Sequence, residues 1–135
     1  MSLLIKQLFK RRRPTTNSMV LRSFNVKFPR ATQVIWQQVD VFKWHVNFNQ
    51  NKKKCTALFN SEGKWLETVT LIPMDKIPEQ LQLTMEERCN SEGLQQIYYI
   101  QTPDRSIYEM NLNNGLYTLK ILFDLSGRIL GKIVL

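Results

Sequence analysis

The chain has 135 residues, 43% of them hydrophobic, enough for one domain with its own core and too few for several. Its formal charge is +8, yet eight of its nineteen Lys and Arg residues fall within the first thirty positions, where no acid occurs, and the remainder balances eleven basic residues against eleven acids. A basic recognition face on the fold is therefore not expected, which argues against nucleic acid as a partner. No apolar stretch approaches the length of a membrane-spanning helix.

Residues 1–16 read as a basic leader. Leu3-Leu4-Ile5 is interrupted by Lys6, so the continuous apolar run of a secretory signal is missing. Wound as a helix, the leader would set Leu4, Ile5, Leu8 and Phe9 against Lys6, Lys10 and Arg13, a pattern suited to an anionic membrane surface that Lys6, Lys10, Arg11, Arg12 and Arg13 would contact. The plainer reading is a solvated tail, because the element is short and Arg12 breaks the apolar arc. With no evident export signal, a cytoplasmic or inner-membrane-associated location is the expectation.

Residues 17–135 read as one domain of two units, 17–73 and 74–135. In the first, Asn17 or Ser18 can cap a helix carrying Val20, Leu21, Phe24 and Phe28 on one side, and Pro29 ends it. Strands are expected at 32–38, 42–49, 54–59 and 64–72, divided by the turns at Asp40, Asn49–Lys52 and Asn60–Gly63. Residues 73–78 link to a second helix, with Pro78 in its first turn and Ile77, Leu81, Met85 and Cys89 along one side, stopped at Gly93. Further strands follow at 94–101, 107–113, 116–123 and 128–135, with a hairpin at Asn114-Gly115.

The units are related by a fixed spacing. Trp44-His45-Val46-Asn47-Phe48 answers Tyr108-Glu109-Met110-Asn111-Leu112, and Asn60-Ser61-Glu62-Gly63 answers Asp124-Leu125-Ser126-Gly127, each 64 positions on. A fixed period implies one supersecondary unit used twice. The helices fit that spacing poorly; a one-residue slip aligns Val20 with Met85 and Phe24 with Cys89. The expected fold class is α+β: a tandem repeat of helix plus four-stranded antiparallel meander sheet, with the helices packed on one sheet face. Trp44, Val46, Phe48, Ala57, Phe59 and Val69 should face the first helix. Tyr108, Met110, Leu112, Leu119, Ile121 and Phe123 should face the second. The open face should carry His45, Asn47, Thr56, Thr68, Tyr99, Glu109, Asn111, Lys120 and Lys132.

A family resemblance rests on Phe24-x-x-x-Phe28-Pro29-x-Ala31-x-x-Val34-x-Trp36, on Ala57-x-Phe59-Asn60-x-Glu62-Gly63-Lys64-Trp65-Leu66-Glu67-Thr68, on Lys76-Ile77-Pro78, and on Phe123-Asp124-Leu125-Ser126-Gly127-Arg128-Ile129-Leu130. Together these resemble the PepSY-like proteins of the beta-lactamase-inhibitor-like group, over about residues 20–135. The resemblance implies a tandem helix-and-sheet fold whose exposed sheet face docks a protein. It carries over no lactamase-contacting residue.

Chemistry is not expected. The single histidine, His45, has no nucleophile elbow to serve, and no metal, phosphate-loop or dinucleotide motif occurs. Glu86 and Glu87 diverge around a helix and read as a solvated face. Cys55 and Cys89 read as reduced, buried thiols; a disulfide between them would require an oxidising compartment. Trp36, Trp44 and Trp65 read as core, with Trp65 beside a turn and the best placed of the three to touch a partner. The function expected is a non-enzymatic protein- or peptide-binding module without cofactor or small-molecule substrate. Its candidate contacts are His45, Asn47, Thr56, Trp65, Tyr99, Glu109, Asn111 and Lys120. The alternatives are a membrane-surface protein tethered by the leader and a small-ligand carrier.

Overall fold

A computed structural model describes residues 17–88, 93–113 and 115–135. The leader, Cys89 and Asn114 lie outside them, and with them the readings placed on those residues. The order of elements is α1 (Ser18–Lys27), β1 (Thr32–Asp40), β2 (Lys43–Gln50), β3 (Lys53–Asn60), β4 (Trp65–Ile72), a short 3-10 helix (Met74–Lys76), α2 (Glu79–Arg88), β5 (Leu94–Gln101), β6 (Ser106–Asn113), β7 (Thr118–Phe123) and β8 (Ile129–Val134). All eight strands form a single antiparallel sheet in chain order, so the two expected meanders are joined edge to edge where β4 pairs with β5. The class is α+β.

Local chemistry sets the element boundaries. Asn17 caps α1: its side-chain oxygen accepts from the Met19 N–H, and its amide donates to the Ser61 carbonyl 2.6 Å away, tying the helix start to the β3–β4 turn. The Phe28 N–H donates to the Phe24 carbonyl, closing the last turn just ahead of Pro29. In the β3–β4 turn the Asn60 side-chain oxygen accepts from the N–H groups of Glu62 and Lys64. In the β7–β8 turn the Asp124 carboxylate accepts from those of Ser126 and Arg128 in the same arrangement.

The glycines of these turns dock the helices. Gly63, at φ +86°, would carry a Cβ only 2.8 Å from the Met19 carbonyl oxygen and the Ser23 hydroxyl. Gly127, at φ +92°, would carry one 2.5 Å from the Gln80 carbonyl oxygen. No side chain fits at either position, and a positive φ disfavours one anyway. These contacts correct the helix alignment read from the sequence. Met19 and Ser23 correspond to Gln80 and Thr84, so Val20 answers Leu81 and Phe24 answers Met85. The connection from helix to turn is three residues longer in the second half, not one shorter.

Two clusters of buried side chains form the core. The first joins Val20 and Phe24 of α1 to Trp44, Val46, Phe48, Cys55, Ala57 and Phe59, with Phe28, Trp36 and Trp65 packed around it. The second joins Leu81 and Met85 of α2 to Ile72, Ile97, Met110, Leu112, Ile121 and Phe123. Each large apolar side chain so buried stabilises the fold by about 1.5–3 kcal/mol. Directly opposed residues share a sheet face. One unbroken line of such pairs runs Phe48, Cys55, Thr70, Tyr99, Tyr108, Phe123, from the first cluster to the second.

Four expectations are overturned by this register. Val69 pairs with Thr56, away from the first cluster, while Thr68 pairs with Ala57 and is buried, its hydroxyl accepting from the Trp65 indole N–H at 2.7 Å. A β-bulge between Leu58 and Phe59 sets this phase, because one extra residue inverts the inside–outside alternation on the strand beyond it. Tyr99 pairs with Tyr108 on the cluster side, their rings 5.1 Å apart. Lys132 pairs with Ile121 and so also belongs to the cluster side, at the exposed sheet margin.

Candidate functional site

The face opposite the clusters is built by the alternate residues of the same strands. In β2 and β3 it presents His45, Asn47, Thr56 and Leu58; His45 lies opposite Leu58, and Asn47 lies opposite Thr56, whose hydroxyl donates to the Asn47 side-chain oxygen at 2.7 Å. In β6 and β7 it presents Glu109, Asn111 and Lys120, with Lys120 opposite Asn111 and its Nζ 3.3 Å from the Glu109 carboxylate on the diagonal. The Glu109–Lys120 pair is partly shielded from solvent, whereas Asn47 is exposed; each pair holds its side chains in place.

Between these polar groups lies an apolar centre. Thr56, Val69, Ile100 and Ile107 follow one another across four strands. Leu71, Tyr98, Glu109 and Leu122 form the adjacent row. Ile107 is only 9% exposed and its neighbours in both rows are partly buried, so the middle of the face is sheltered although it belongs to neither core cluster. At the β1 margin Ile35, opposite Asn47, is 65% exposed. Alternation alone assigned Val69 inward; the bulge that moves it outward is what completes the row. Ile100 and Ile107 carried a usable signal in their phase relative to Tyr99 and Tyr108, but Tyr98-Tyr99 is a pair of like residues and gives the alternation no direction.

Of the eight residues singled out from the sequence, six share this face: His45, Asn47, Thr56, Glu109, Asn111 and Lys120. Two do not. Tyr99 packs against the second cluster, and Trp65 packs against the first, with the Lys27 ammonium 3.8 Å from its ring centroid. Burial and the neighbouring Tyr99 hydroxyl hold the Tyr108 phenol above its ordinary pKa. Cys55 is a free, buried thiol. Burial raises its pKa, partly offset by the Thr70 hydroxyl 3.7 Å from its sulfur.

Among the described residues no cluster of three or more His, Cys, Asp and Glu side chains could hold a metal ion, and no helix is long and apolar enough to cross a membrane. Asp124 is held below the usual carboxylate range, first by the Ser126 hydroxyl and then by the Arg128 N–H. It is a turn-former rather than an acid poised for catalysis. The depression beside the β7–β8 turn, about 400 Å3, is lined by Thr84, Glu87 and Ser126–Ile129; a second, of about 380 Å3, lies where β3, β4 and β5 end. Both open to solvent.

Residues 43–131 match the model of the family described as "Putative beta-lactamase-inhibitor-like, PepSY-like". No curated protein matches the sequence. Among solved structures, a BLIP-like protein from Bacteroides fragilis superposes with a TM-score of 0.83 at 15% identity, over 94% of this chain and 92% of that one. A DUF2874 family protein from Bacteroides ovatus gives 0.78 at 18% identity, over 89% and 88%. A Bacteroides eggerthii structure described as "putative periplasmic proteins" gives 0.75 at 20% identity, over 87% of each chain. At these identities the likeness is one of fold.

Proposed function

The chain belongs to the beta-lactamase-inhibitor-like, PepSY-like family, and from that premise we propose that it is a non-catalytic binding module that docks a protein or peptide on its open sheet face. The observation that carries this reading is the composition of that face. An apolar row of Val69, Ile100 and Ile107 is flanked by two organised polar groups, Asn47–Thr56 on one side and Glu109–Lys120 on the other. A desolvated apolar centre inside a polar rim is the anatomy of protein interfaces. A solvated sheet face with no partner would be expected to alternate polar residues throughout.

The proposal includes the architecture behind the face. Residues 17–135 are one domain made of two copies of a helix-plus-meander unit, 17–73 and 74–135, with both helices covering the same side. Three features support this. The pairs Trp44–Phe59, Val46–Ala57 and Phe48–Cys55 recur 64 positions on as Tyr108–Phe123, Met110–Ile121 and Leu112–Leu119. The bulges recur at Leu58/Phe59 and Leu122/Phe123. The line of opposed residues from Phe48 to Phe123 puts the partners of α1 and α2 on one side. Duplication with shared sidedness frees the whole opposite face for a ligand.

The description of the Bacteroides eggerthii relative favours the periplasm as the working compartment. The cytoplasmic or inner-membrane placement suggested by the leader has no support in the comparisons. Neither the membrane tether through Lys6, Lys10, Arg11, Arg12 and Arg13, which lie outside the described residues, nor the small-ligand carrier has an observation of its own behind it.

A photo-crosslinking residue placed at Ile100 tests the docking face, with one at Val26, an exposed position on α1, as the control. The expected result is a discrete protein adduct from Ile100 that Val69→Arg abolishes and Val26 does not yield. Equal labelling from both positions would overturn the reading, as would turnover of a substrate by the purified chain.

A further inference from the structure

Lys52, Lys53 and Lys54 run consecutively through the β2–β3 hairpin. The Gln50–Lys53 pair closes a two-residue loop there, with Asn51 and Lys52 at φ 52° and 62°. A loop of this length and backbone form is a tight, twist-matched turn, so the three ammonium groups are tied to one end of the sheet instead of ranging on a flexible arm. They border the depression of about 380 Å3, whose apolar wall includes Leu71 and Met74 and whose far side is Gln96. Leu71 and Gln96 belong to the open face, opposite Tyr98 and Asn111 respectively. The depression therefore reaches that face at the sheet's end, with Lys53 and Ile72, in the opposite phase, carrying it over the end of the strands.

Among the described residues its charge is uncompensated. The ion pairs among the described residues are Glu109–Lys120 and Asp124–Arg128, and none of the three lysines takes part. Asp75 and Lys76, which follow Met74, are of opposite sign and leave the sum unchanged. Close like charges repel, and this repulsion is relieved when an anion binds between them.

We infer that this end of the open face is a subsite for an acidic peptide segment. A carboxylate sits against Lys52–Lys54, and the neighbouring apolar side chain lies on Leu71 and Met74. The inference rests on the protein-binding reading and narrows it to partners that present an acid next to an apolar residue. A peptide fits better than a fatty carboxylate because it can present several acids to the three lysines and continue along the open face from Leu71 to Tyr98.

The test is a two-dimensional NMR titration of the full chain with acetyl-Glu-Leu-Glu amide, against acetyl-Gln-Leu-Gln amide and decanoate. The expected result is shifts at Lys52–Lys54, Leu71, Met74 and Gln96, with the Gln peptide weaker by about tenfold, as the loss of a few exposed charge contacts implies. The K52Q/K53Q/K54Q variant should weaken the Glu peptide by the same factor and flatten its dependence on salt. Equal binding of the two peptides, shifts confined to other residues, binding of decanoate alone, or no shift at millimolar peptide would each overturn the subsite. Loss of the lysine dependence while the Ile100 adduct persists removes the subsite and keeps the docking face; loss of the adduct removes the face itself.

Discussion

Under α1 the core is aromatic: the Phe24 ring lies 5.1 Å from those of Trp36 and Phe48, 5.5 Å from Phe28 and 6.3 Å from Phe59, mostly edge to face. Under α2 Met85 lies among Leu81, Ile97, Met110 and Ile121, and Phe123 is the one fully buried ring of that cluster among the described residues. The two helix-covered parts of the sheet are thus filled in two ways. Interlocked rings hold fixed geometry, whereas methionine and branched aliphatics adapt to gaps. The lesson is that a helix-on-sheet unit specifies positions and burial, while the chemistry inside it is free to change so long as volume and sidedness are kept.

The sharpest way to break that comparison is to truncate the matched residues. Phe24→Ala should cost about 3–5 kcal/mol and Met85→Ala about 2–5 kcal/mol, read from urea denaturation. Phe24→Leu should remain much worse than Met85→Leu, because the aromatic set cannot close around a branched chain and the second core can. Equal costs for the two leucine variants would refute the distinction.

A smaller effect sharpens the docking of each helix onto its turn. Gly63→Ala and Gly127→Ala should each lose more than about 1 kcal/mol, since a Cβ in the left-handed region is strained before any contact is counted. Gly127→Ala should be the costlier, because its Cβ meets the Gln80 carbonyl at 2.5 Å against 2.8 Å for Gly63 and the Met19 carbonyl. Thermal unfolding of the two variants side by side gives the ranking.

The smallest expected difference is in pH. The turn-forming side chain is neutral Asn60 in one half and ionised Asp124 in the other. The folded pKa of Asp124 is lowered below its unfolded value, so its contribution is present above the ordinary carboxylate range and disappears as pH falls through the lowered value. Asp124→Asn should therefore remove part of the acid dependence of stability, and Asn60→Ala should lower stability by about 1 kcal/mol without changing that dependence. A stability–pH curve for Asp124→Asn that parallels the parent would count against this assignment.

Much of this molecule could be read before any coordinates. The helix cap at Asn17, the stop at Pro29, the glycine turns and the eight strands follow from residue chemistry acting over a few positions, and the 64-residue spacing needed only the text of the chain. The identity of the open face was only partly legible. His45, Asn47, Thr56, Glu109, Asn111 and Lys120 alternate with obvious core residues, and their side could be assigned strand by strand. Thr68 and Val69 could not, because a bulge of one residue inverts a strand's phase and leaves its composition untouched, and Tyr99 could not, because its neighbour Tyr98 is the same residue.

What the sequence determined by itself is therefore local: which residues turn, which wind, and which strands pair in order. Tertiary structure alone decided how the two halves join through β4 and β5, that the helices align by their contacts with Gly63 and Gly127, and that Val69, Ile100 and Ile107 meet on one surface. The physical reason is range. Capping, turn and propensity terms act between near neighbours, whereas strand register and helix docking depend on contacts closed across dozens of residues, whose sum no single segment encodes.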